Sequence, residues 1–127
     1  MDYHKLLENA KEVSKNAYVK YSNFEVGACL ITKSGKIYSG CNFENSSYGL
    51  TICAERNAVG SAIADGERII SAIAIYSPKK RDCLPCGACR QVLSEFQDEN
   101  GIDVITEGDN DIIVRKLDEL FPQGFIL

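Results

Sequence analysis

A three-layer α/β domain with a mixed sheet of about five strands is the fold this sequence predicts, and three observations predict it. Helix-period and strand-period segments alternate along the chain in the order α-β-β-α-β-α-β-β-α. One strand segment, "RIISAIAIYS", is apolar almost throughout, as expected of a central strand covered on both faces. The last two strands are joined by the short turn "EGDND", whereas a parallel crossover needs a dozen residues or more, so these two are antiparallel.

Each element follows from local pattern. From Tyr3 to about Tyr18, Leu6, Leu7, Ala10, Val13 and Ala17 recur at intervals of three and four and mark one face of a helix. "FEVGACLIT" and "KIYSGCNF" are rich in β-branched and aromatic residues, and the Lys33-Ser34-Gly35-Lys36 link suits a tight hairpin. The polar loop "ENSSYGLT" leads into "CAERNAVGSAIADG", a helix with Cys53 at its N-terminus and Gly66 as its left-handed stop. After the apolar strand, Pro85 precedes a helix from roughly Gly87 to Phe96. "IDVIT" and "IIVRK" form the final hairpin, followed by a brief helix at Leu117 to Leu120 and the tail "FPQGFIL".

No linker, repeat or low-complexity run divides the 127 residues, which are expected to form one domain, 1–127, large enough to bury a core without disulfides. A formal charge of -4 argues against a surface built to neutralise phosphates, so nucleic acid is not an expected partner and small neutral substrates fit better. The segment "MDYHKLLENAKEV" carries charges where a secretory signal needs an apolar core, and no run approaches the ~18 apolar residues of a membrane span. A cytoplasmic protein without a membrane partner is expected. In that reducing compartment the six cysteines read as metal or redox groups before disulfides.

"CLPCGACRQ" spaces Cys83, Cys86 and Cys89 at intervals of three and so contains two overlapping C-x-x-C pairs. Catalytic zinc takes three protein ligands and leaves a position open, whereas structural zinc takes four. Cys53-Ala54-Glu55 offers one thiolate with a carboxylate two residues on, and Pro85-Cys86-Gly87-Ala88-Cys89 offers two more thiolates. Helix N-termini favour negative charge and help hold such thiols ionised. Three thiolates would leave one zinc ion per chain with a net negative environment, which Arg56 and Arg90, each beside a cysteine of the set, could offset. Zinc deaminases pair an H-x-E word, or its cysteine form, with P-C-x-x-C, and their glutamate moves protons without binding metal. C-x-E at 53–55 and P-C-x-x-C at 85–89 reproduce that pairing.

"YSNFEVGA", "GCNFENSSYG", "CAERNA", "PCGACRQ" and "FPQGF" together resemble the small homotetrameric cytidine deaminases over essentially the whole chain. The resemblance implies the α/β/α cytidine deaminase-like fold and hydrolysis of cytidine or 2′-deoxycytidine to uridine or 2′-deoxyuridine and ammonia. It implies zinc on Cys53, Cys86 and Cys89, with Glu55 as the proton shuttle. Asn42 and Glu44 would bond the ribose hydroxyl, Phe24 would pack on the nucleoside, and the Ala54 backbone would meet the base. Phe125 would reach the site of a neighbouring subunit in a homotetramer. Lys20 departs from the family, where proline often stands, and Cys83 lies outside its ligand set.

Two other readings compete. A deaminase for another aminopyrimidine nucleoside, such as blasticidin S, would share the zinc words. A structural zinc or thiol-redox module would enlist Cys83 as a fourth ligand or pair it with Cys86, and would leave Glu55, Asn42 and Glu44 without a task. Cys29 and Cys41 lie in strand-like segments and are expected to pack in the core. His4, in the first turn of an exposed helix, is expected to be solvated.

Overall fold

The computed structural model describes residues 2–127. Its elements are α1 (Tyr3–Ser14), β1 (Gly27–Thr32), β2 (Ile37–Cys41), α2 (Ala54–Ala64), β3 (Ile70–Tyr76), α3 (Gly87–Ser94), β4 (Asp103–Glu107), β5 (Ile112–Lys116) and α4 (Leu117–Leu120), in the predicted order. The sheet runs β2-β1-β3-β4-β5. Both hairpins are antiparallel as expected, β1 with β3 is antiparallel, and β3 with β4 is parallel across α3.

Alternation along the strands builds the three layers. Cys29 and Ile31 of β1, with Ala72 and Ala74 of β3, pack beneath Leu6 and Ala10 of α1. Ala28 and Leu30, with Ile73 and Ile75, point to the other face, where α2 supplies Ala54, Ala58, Val59 and Ala62 and α3 supplies Leu93. β3 is buried along nearly its whole length, as its unbroken apolar run requires. Cys29 is buried and Cys41 partly so, in keeping with core roles. His4 is exposed and bonds Asp111 across the surface.

Two glycines let helices lie directly on strands. A Cβ on Gly27 would stand 1.9 Å from the Ala10 carbonyl of α1, and one on Gly40 would stand 2.5 Å from the Ala58 nitrogen of α2. The second approach seats the N-terminal half of α2 on β2.

α1 is shorter than its periodicity suggests. Ser14 Oγ turns back to the Lys11 carbonyl, and the chain then pairs with the end of the first hairpin. Tyr18 N donates to the Asn42 carbonyl at 3.0 Å and Glu44 N donates to the Tyr18 carbonyl at 2.9 Å. β1 also starts three residues later than the "FEVGACLIT" run, because side-chain bonds replace the ladder at Phe24 and Val26. Both departures bring residues 18–26 alongside Asn42–Glu44.

Candidate active site

Cys53 is the N-cap of α2 and Cys86 the N-cap of α3, while Cys89 lies in the first turn of α3. The three sulphurs lie within 4.8 Å of one another and are the group of metal-ligating side chains that converges among the described residues. Cys53 Sγ and Cys86 Sγ are 4.0 Å apart. Sulphurs sharing one tetrahedral zinc lie roughly 3.8 Å apart, so the spacing fits that ion. Cys83 is outside the cluster, which leaves three donors rather than the four of a closed structural site.

The surroundings favour a negative sulphur at Cys53 and a neutral one at Cys89. The Cys53 thiol is pushed down by its hydrogen bond with Cys89 and, against burial, by Arg56, while Cys89 is pushed up by the same bond, by burial and by Glu55. Arg56 Nη2 donates to Cys53 Sγ at 3.5 Å, and its Nε is buried without a partner. Arg90 does not share this task. Its Nε and Nη1 donate to the Pro85 and Leu120 carbonyls at 2.7 Å, tying the start of α3 to α4.

Glu55, in the first turn of α2, is 4% exposed. Burial, then the neighbouring Cys53 charge, raises its carboxyl to about 7 against a backbone hydrogen bond and Arg56. It lines a cleft of about 230 Å³ with Cys53, Cys86, Ala54, Asn42 and Phe24. A buried carboxyl poised to gain and lose a proton beside a thiol cluster can serve as both general base and general acid.

Asn42 is 9% exposed, and much of its amide is spent on the protein. Its Oδ1 accepts from Val26 N at 2.9 Å and its Nδ2 donates to the Phe24 carbonyl at 2.9 Å. One N–H of Nδ2 is left for a ligand. Glu44 lies instead on an adjoining cavity of about 360 Å³, with Tyr21, Ser22, Tyr48 and Thr51; Thr51 lines both spaces. The Glu44 carboxylate accepts from the Tyr21 and Ser22 amides at 3.0 Å and from Ser22 Oγ, and the Ser22 contact is the main reason its pKa lies below the carboxylate range. Phe125 is 68% exposed in the tail, tied to Gln91 through its backbone, and is not on the wall of this chain's own cleft.

Sequence reasoning missed four wall residues: Val26, Thr51, Cys83 and Leu84. Only their closeness to Phe24, Cys53 and Cys86 in the chain could have flagged them. Cys83 has its thiol pushed up to about 11, first by burial and then by the Glu55 charge, so it is an apolar wall group rather than a nucleophile.

The model of the cytidine and deoxycytidylate deaminase zinc-binding region matches residues 1–102. The cytidine deaminase of Sporosarcina psychrophila is 42% identical over 98% of this chain and 92% of its own. The crystal structure of cytidine deaminase from Burkholderia pseudomallei superposes with a TM-score of 0.89 at 44% identity, covering 98% of this chain and all of that one. The blasticidin-S deaminase of Bacillus cereus is more distant, 31% identical over 76% of this chain and 74% of its own.

Proposed function

The chain belongs to the cytidine and deoxycytidylate deaminase family, and from that premise we propose that it hydrolyses cytidine and 2′-deoxycytidine to uridine and 2′-deoxyuridine with release of ammonia. The observation that carries this reading is the convergence of Cys53, Cys86 and Cys89 beside a buried Glu55 in one cleft. Cys53, Cys86 and Cys89 would hold one zinc ion per chain. Zinc there supplies the Lewis acidity that makes water nucleophilic near neutral pH.

Glu55 is the catalytic residue. It accepts a proton from the attacking water and gives it to N3 as oxygen adds to C4. When the C4–N4 bond breaks, it takes the remaining hydroxyl proton and passes it to the departing amine, so ammonia and a C4 carbonyl result. Arg56 compensates the thiolate charge through its bond to Cys53. The Ala54 backbone, on the same wall, orients the base. Phe24 packs on the nucleoside, the free N–H of Asn42 and the carboxylate of Glu44 hold the ribose, and Phe125 closes the site of a neighbouring subunit in a homotetramer. The exposure of Phe125 supports that last role, because a side chain left uncovered by its own chain is available to another.

Residues 1–127 act as one catalytic domain in the cytoplasm. Six free cysteines suit a reducing compartment, and among the described residues no helix is long and apolar enough to cross a membrane.

The test is an ultraviolet assay of zinc-loaded protein on cytidine, 2′-deoxycytidine, CMP and blasticidin S. Turnover of the first two is expected. Turnover of blasticidin S alone would reassign the substrate, and turnover of none would overturn the reading. Sedimentation showing an active monomer would remove Phe125 from the site.

A further inference from the structure

Two loops far apart in the chain supply walls of the cleft. Residues 21–26 contribute Phe24 and Val26, and residues 77–86 contribute Cys83, Leu84 and Cys86. Lys79 joins them. Its Nζ donates to the Asn23 carbonyl at 2.7 Å and to Glu25 Oε1 at 3.0 Å, the residues on either side of Phe24. Asn23 sits in the left-handed region at φ 58°, so this carbonyl belongs to a bend and not to a strand ladder.

The second loop is anchored independently on its other side. Asp82 accepts from Arg115 Nη1 and Nη2 at 2.8 Å and from Thr106 Oγ1 at 2.5 Å, and its own amide donates to the Glu107 carbonyl at 2.9 Å. Lys79 N donates to Ser77 Oγ at 3.1 Å at the end of β3. Lys79 therefore acts as a strut between a segment fixed to β4 and β5 and the bend that carries Phe24.

We infer that Lys79 is a positioning residue for the nucleoside, holding the Phe24 bend in register with the Cys83–Cys86 segment and so setting how firmly the cleft grips its ligand. The inference rests on the cleft taking a cytidine-type nucleoside. Lys79 touches none of the reacting atoms, and ion pairs this exposed add little to global stability, so its effect belongs to binding.

Lys79→Met and Lys79→Arg, zinc-loaded, test it. Lys79→Met is expected to raise KM for cytidine roughly five-fold with kcat unchanged, the signature of lost uniform binding. Zinc content and melting temperature stay at wild-type values, and amide hydrogen exchange speeds up in residues 21–26. Lys79→Arg restores both KM and exchange. An unchanged KM, unchanged exchange at 21–26, or a parallel loss of kcat and zinc overturns the inference. A wild-type enzyme inert toward cytidine would instead defeat the functional reading, and exchange at residues 21–26 alone would then decide whether Lys79 clamps the bend.

Discussion

Glu55 owes its place to a two-residue offset from Cys53 at the start of α2, which puts a thiol and a carboxyl on one cleft wall. Glu55→Gln keeps the shape and the metal donors but cannot carry a proton. Activity is expected to fall by about 10² to 10⁴ with one zinc per chain retained, as deamination rates and metal analysis would show. Zinc lost together with activity would give Glu55 a structural part. The gathering of Cys53, Cys86 and Cys89, with Glu55 in the same cleft, was legible in the sequence because metal chemistry fixes residue type and spacing. The commitments of Asn42 were not, since its bonds to the Phe24 carbonyl and the Val26 amide cross sixteen to eighteen residues and leave no local pattern. Arg90 shows the same limit from the other side: it neighbours a cysteine of the cluster, yet its guanidinium faces two carbonyls.

Elements place these residues by contact with one another. Gly40→Ala would press a methyl against the Ala54 carbonyl and the Ala58 nitrogen of α2. Overpacking of this kind costs about 1–3 kcal/mol, and because α2 carries Cys53 the variant should also release zinc to a chelator sooner than wild type. Denaturant melts and a zinc-release assay would show both. On the hairpin of β4 and β5, Arg115 makes a two-pronged bond to Asp82 and holds its carboxyl below the usual range. A depressed carboxylate pKa stabilises the fold above the unfolded value near 4 and ceases to do so as pH falls through the folded value. Arg115→Met should therefore lower stability by about 1 kcal/mol at pH 7, with the two stability curves converging in strong acid. A constant gap down to pH 2 would assign the loss to packing. Element types and order were legible from periodicity and turn length. The end of α1 was not, because the helical pattern continues to Ala17 while the backbone pairs Tyr18 with the end of the first hairpin.

At the scale of the whole molecule, the antiparallel final hairpin followed from its short turn, but the strand order did not follow from any local signal. β3 lies between β1 and β4, and α2 and α3, whose N-caps are Cys53 and Cys86, lie on either side of it in the chain. The two hairpins close short loops, whereas docking β3 closes long ones, which is the slower event. The donors at residues 53 and 86 gather only once that docking has happened. This topology predicts a time order in which metal capture comes after the folding barrier. Refolding followed by far-ultraviolet circular dichroism should proceed at the same rate in zinc and in EDTA, while unfolding slows in zinc, because a contact absent from the transition state acts on escape from the native state alone. Refolding accelerated by zinc would mean that the thiols meet before the sheet is complete.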